Sequence, residues 1–195
     1  SVSTVSLVLN KRDVGRVKPD IAQRVRQTAT DLGYKPNPLA RSLRTSKTRI
    51  LGFISEEVAT TPYAGGIILG AQDAASTYGY MLITVSTDGQ ASEESEIAAL
   101  KRYGVDGFFY SKMSNRIATV PKSLSDYPVV LVDATDANNT LPSVEPDEFQ
   151  IAYDATSRLI EAGCERIAYV GCSENMIAQD GRLAGYRAAL EGTDH

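Results

Sequence analysis

From Ile50 onward the chain alternates short apolar runs with helix-length segments, and this alternation most constrains what it can become. Ile50-Leu51-Gly52-Phe53-Ile54 reads as a buried strand, and 64–78 as a helix rich in alanine and glycine. Strands are expected at Tyr80–Val85, Gly107–Tyr110, Pro128–Val132 and Arg166–Gly171, and helices at 92–103, 148–162 and 180–191. Strands interleaved with helices at this spacing predict an α/β fold, a parallel sheet covered on both faces. Binding sites in such folds lie at the carboxyl ends of the strands. Here that means the loops after Ile54, Val85, Tyr110, Val132 and Gly171.

Residues 1–49 follow different rules. Val2, Val5 and Leu9 fit a short helix ending near Asn10, with Val5 and Leu9 as its core positions. Pro19 opens a second helix, where a missing N–H costs nothing. Ile21, Val25, Ala29 and Leu32 recur at helical spacing, and Gly33 closes it. Tyr34-Lys35-Pro36-Asn37-Pro38 is stiff and extended, because a residue before proline avoids helical angles. A third short helix is expected around Leu39, Ala40 and Leu43, displaying Arg41 and Arg44. This segment holds eleven Lys or Arg side chains against Asp13, Asp20 and Asp31, a surplus of eight. The remainder holds nine basic and twenty-one acidic side chains. The net charge of −4 alone argues against a nucleic-acid binder, but it conceals a basic front end on an acidic body, two parts suited to different partners.

Several chemistries fail on residue counts. The single histidine is His195, the last residue, so Ser–His–Asp or Cys–His catalysis has no base and His/Cys metal sites fail the count. Gly65-Gly66-Ile67-Ile68-Leu69-Gly70 has the wrong offsets for a dinucleotide fingerprint, and there is no Walker phosphate loop. Cys164 and Cys172 read as small half-buried side chains, and two cysteines make no disulfide framework. No enzyme activity, metal or cofactor is therefore expected. No apolar run approaches bilayer length, and the N-terminus lacks the order of a signal peptide, so the expectation is a cytoplasmic protein away from membranes.

Four motifs converge on one family. They are Ser1-Val2-Ser3-Thr4-Val5-Ser6-Leu7-Val8-Leu9-Asn10, Leu32-Gly33-Tyr34-Lys35-Pro36-Asn37-Pro38-Leu39-Ala40-Arg41-Ser42-Leu43, Ile50–Ile54, and Asp180-Gly181-Arg182-Leu183-Ala184-Gly185-Tyr186. In their order and spacing the chain resembles the lactose-repressor (LacI/GalR) family of bacterial transcription regulators. The resemblance implies a helix-turn-helix and hinge over 1–49, then a periplasmic-binding-protein-like effector domain over 50–195, divided into 50–148 and 149–195. It implies a dimeric regulator, a repressor, with double-stranded operator DNA and a small effector, a sugar or a purine, as partners.

The resemblance also assigns residues. Val2, Ser3 and Leu7 match base-reading positions in the major groove, while Thr4, Ser6 and Asn10 match phosphate anchors. At the hinge, Asn37 matches a phosphate contact, Ala40 lies against the minor groove, Leu43 matches the wedge between bases, and Arg44 reaches a backbone or base edge. Ser55, Tyr63, Asp133 and Arg182 match the effector cleft. A structural ion pair between Asp133 and Arg182 is the alternative for those two, and Glu56 and Glu57 make the cleft mouth acidic. By the same resemblance both domains are incomplete: the chain starts inside the helix-turn-helix, without its first helix, and stops soon after the effector helix, leaving apolar edge exposed. Lys18 at a helix N-cap, Gln150 for a usual glycine and Cys164 for a usual histidine depart from the pattern. The rival from another class is a sugar-binding transport protein of the same clam-shell shape, which the basic front end opposes.

Overall fold

The computed structural model describes residues 1–34, 37, 42, 45–56, 61–88, 90–172 and 176–193. It divides into two compact units, Ser1–Thr48 and Arg49–His195.

In the first unit, α1 (Val2–Leu9) begins where the Ser1 hydroxyl accepts from the Thr4 amide, satisfying one orphan donor of the first turn. α2 (Pro19–Asp31) starts with proline and no side-chain cap at Lys18. It ends at Gly33, whose φ of +62° lets the Tyr34 amide turn back onto the Ala29 carbonyl. Val8 and Ala22 are the buried apolar residues of this pair. Asp13, also buried, takes an ion pair from Arg26 and fastens the inter-helix loop to α2. The expectation for Val5 is corrected: it is 40% exposed, and Val8 holds the core position. Val5 instead lines an open groove of about 910 Å³ with Leu9, Ile21, Val25, Ala29 and Leu32. Val5 thus faces α2 across a groove left open to solvent, while Val8 is closed off.

The second unit is a five-stranded parallel sheet in the order β2-β1-β3-β4-β5. Its strands are β1 (Ile50–Glu56), β2 (Met81–Thr87), β3 (Gly107–Ala118), β4 (Val129–Asp136) and β5 (Ser143–Val144). α3 (Pro62–Thr77) joins β1 to β2 and α4 (Gln90–Arg102) joins β2 to β3. The first crossover moves outward and the second returns past β1, so right-handed connections put α3 and α4 on opposite faces. On one face Ile54, Phe108, Tyr110, Val129 and Leu131 pack with Ile97, Leu100 and Leu124. Gly52 is required there: a Cβ would come 2.9 Å from the Phe108 ring. On the other face Phe53 and Phe109 meet at 6.0 Å between ring centres.

α5 (Glu148–Glu161) and α6 (Ile177–Leu190) form a packed pair, α5 capped by Asp147, which accepts from the Gln150 amide. The expected strand at Arg166–Gly171 is corrected, for this stretch pairs with no strand among the described residues. Its residues are of strand type, but a ladder needs a neighbour, and here the stretch is tied to α6 instead. The Tyr186 hydroxyl donates to the Ile167 carbonyl at 2.8 Å, and the Cys172 amide donates to the Gln179 side chain. Val170 is 92% exposed. Two features lie beyond the sequence reading: β3 runs on to Ala118 through a register break between Ser111 and Arg116, and β5 is added to the edge.

Candidate effector cleft and DNA-reading surface

The register break between Ser111 and Arg116 brings polar groups together at the edge of the sheet. Ser114 and Asn115 have φ of +67° and +48°, and Asp133 opposite them has +52°. Left-handed angles are unfavourable for residues with a Cβ and need compensation. Asp133 supplies it: its buried carboxylate accepts the Ser114 amide at 3.0 Å and the Asn115 amide at 3.2 Å. Burial holds the Asp133 carboxyl above the usual carboxylate range, the two amides and Arg182 oppose this, and Glu148 adds to it.

Arg182, on the first turns of α6, is gripped by Glu148 at the start of α5, with one nitrogen on each carboxylate oxygen and the second contact at 2.9 Å. This fork geometry orients as well as binds. The alternative ion pair is thereby corrected: the partner of Arg182 is Glu148, thirty-four positions away, while each Asp133 oxygen accepts one backbone amide. Glu148 raises the affinity of Arg182 for its proton. Tyr63, on α3, is half exposed. Burial pushes its hydroxyl pKa up, and Asp133 and Glu148 push further, while Arg182 opposes them. Tyr63, Asp133 and Arg182 thus share one electrostatic neighbourhood, with Glu148 as the member sequence reasoning missed. Ser55 is buried at the end of β1, in register with Ser86 and Ser111, its hydroxyl 3.2 Å from the Glu56 carbonyl.

The expected acidity of the mouth is also corrected at Glu56. Lys112 ion-pairs with it and Arg116 lies 3.7 Å from it. Lys112 sits 3.5 Å from Glu93 as well, and Glu93 accepts the Tyr110 hydroxyl at 2.6 Å, which raises the pKa of that buried phenol along with its desolvation. Glu57 lies outside the described residues.

On the first unit, Val2 is 87% exposed, Ser3 is exposed, and Leu7 is half buried. Thr4 pairs its hydroxyl with that of Ser1 at 3.1 Å. Asn10 donates to the Ser6 carbonyl at 2.7 Å and reaches the Ser6 hydroxyl at 3.4 Å, so its amide closes the helix. Lys11, Arg12 and Arg16 cluster beside the end of α1. Asn37 is exposed; Ala40, Leu43 and Arg44 lie outside the described residues.

A helix pair with a basic loop, followed by a doubly wound parallel sheet with polar groups gathered at its carboxyl edge, defines a class: a small α-helical unit joined to a periplasmic-binding-protein-type domain. Comparison with known families agrees. Residues 48–193 match the family described as periplasmic binding proteins and sugar binding domain of LacI family, and residues 1–37 match bacterial regulatory proteins, lacI family. The chain belongs to the LacI family. It is 36% identical over 194 residues to the HTH-type transcriptional regulator RegA of Clostridium saccharobutylicum, covering 97% of this chain and 57% of that protein. It is 34% identical over 197 residues to catabolite control protein A of Priestia megaterium, again covering 97% and 57%. Among solved structures, a complex of the transcriptional regulator CelR with cellobiose aligns with all of this chain and 59% of the other, at 27% identity and a TM-score of 0.59. The chain thus spans a little over half the length of the relatives it matches.

Proposed function

We propose that this chain carries the DNA-reading and effector-sensing parts of a dimeric, cytoplasmic transcription regulator, a repressor whose operator binding is set by a small molecule between the two α/β subdomains. The observation that supports this best is the union in one polypeptide of a basic helix pair and an effector-type sheet whose carboxyl edge gathers Tyr63, Asp133, Arg182 and Glu148. Val2, Ser3 and Leu7 read base edges, with Val2 and Leu7 offering apolar contact to thymine methyls. Thr4, Ser6, Asn10 and Asn37 position the protein on phosphates. Ala40, Leu43 and Arg44 act in the minor groove, where Leu43 opens a base step and the kinked duplex gains contact area in return.

Ser55, Tyr63, Asp133 and Arg182 hold the effector. Tyr63 supplies an aromatic face, Asp133 an acceptor and Arg182 a donor fixed by Glu148. Ligand that binds one arrangement of the subdomains more tightly shifts the population of DNA-competent dimers by that difference. Relatives named as regulators support this reading over a transport protein, and no helix among the described residues is long and apolar enough to cross a membrane.

The test is fluorescence anisotropy of the full-length gene product on its operator, repeated with candidate sugars and purines. A bound effector is expected to move the operator Kd, and Leu43→Ala to weaken it by about tenfold or more, since the energy of the opened step must be recovered through that side chain. Operator affinity indifferent to Leu43 contradicts the wedge, and affinity indifferent to every candidate contradicts effector control.

A further inference from the structure

The carboxyl edge of the sheet is rich in hydrogen-bond acceptors and has its cations already engaged. Among the described residues where the chain leaves this edge, 61, 88, 112–116 and 137–142, and in the stretch 171–172, the basic side chains are Lys112 and Arg116. Both face Glu56, and Lys112 also faces Glu93. The other cation of the neighbourhood, Arg182, has two of its nitrogens on Glu148. Acceptors remain. The Asp133 carboxylate is buried beside them, and Asn115, 8% exposed, keeps a side-chain oxygen that has no hydrogen-bond partner among the described residues.

Such a buried acceptor is costly until a donor reaches it. A phosphate ester brings two negative charges and acceptor oxygens, which this edge can neither neutralise nor satisfy without breaking Glu56 from its partners. A hydroxyl brings a donor and no charge. We infer that the cleft selects a neutral, polyhydroxylated effector, an unphosphorylated sugar, and that Glu56 enforces the choice by occupying Lys112 and Arg116, the two side chains a sugar phosphate needs. Asn115 is then a specificity residue that receives a hydroxyl of the ligand. This inference rests on the sugar-effector reading above and narrows it.

The test is isothermal titration of the full-length protein with matched pairs: glucose and glucose 6-phosphate, sucrose and sucrose 6-phosphate, cellobiose and cellobiose 6-phosphate. At least one neutral sugar is expected to bind, with its phosphate ester weaker by about tenfold or more, as a charge set against like charges requires. Glu56→Gln releases Lys112 and Arg116 and is expected to narrow that ratio, mainly by tightening the ester. A wild-type protein that prefers the ester overturns the inference while leaving the sugar-effector reading intact, and this arm needs no variant to fold. A folded Glu56→Gln with an unchanged ratio overturns the role of Glu56. Binding of guanine or hypoxanthine in place of every sugar overturns the sugar reading and this inference together.

Discussion

Asp133 and Asp136 stand three residues apart on one strand and shift in opposite directions, because burial dominates at the first and hydrogen bonds at the second. Asp136 accepts amides from Thr140, Leu141 and Asn138 and the Thr140 hydroxyl, closing the turn toward β5. Those bonds favour the charged form and draw its pKa down to about 2. A folded value below the ordinary 3.8 means the unfolded chain binds the proton more tightly. The turn's contribution is therefore complete above that value and fades as pH falls toward 2. For Asp133 the direction is reversed, and its contribution weakens as pH rises above the ordinary range. Asp136→Ala is expected to lower the melting temperature near neutral pH, and the gap to the wild type is expected to close in acid. Thermal melts across that range check this, and a constant gap contradicts the assignment.

At the scale of elements, the α5–α6 pair depends on one atom that is missing. A Cβ at Gly185 would come 2.1 Å from the Phe149 carbonyl oxygen and 3.0 Å from the Tyr153 nitrogen, both backbone and unable to swing aside. Gly185→Ala is expected to force the helices apart and cost about 1–3 kcal/mol or more, read as a lowered denaturant midpoint. Because the Glu148–Arg182 fork spans the same two helices, the variant is also expected to weaken effector binding.

Helices and strands of this unit were legible where periodicity and apolar runs were long, as in Ile50–Glu56 and Glu148–Glu161. Arg166–Gly171 misled because strand-type residues state a preference, while a ladder needs a neighbour. The bend at Ser114 and Asn115 left no glycine to mark it, since Asp133 supplies the compensation from another strand. Glu148 likewise looked like an ordinary acid in a helix's first turn, and nothing local announces a partner thirty-four positions on.

For the whole molecule, the division visible as a charge step recurs as two compact units. The basic unit suits a polyanion, and the acidic one carries ion pairs at the carboxyl edge of its sheet. The family membership was readable because the four motifs keep their order, whereas the charge pairs join residues far apart in the sequence, such as Glu56 with Lys112 and Glu148 with Arg182. In the function proposed above, residues 1–49 read a DNA sequence. The most direct measurement is selection from a random duplex library by the full-length protein, followed by sequencing of the bound fraction. Enrichment of a two-fold symmetric site with a flexible central step is expected, the pattern of a dimer that reads the major groove and opens the minor groove between its halves. A bound fraction with no enriched sequence contradicts it.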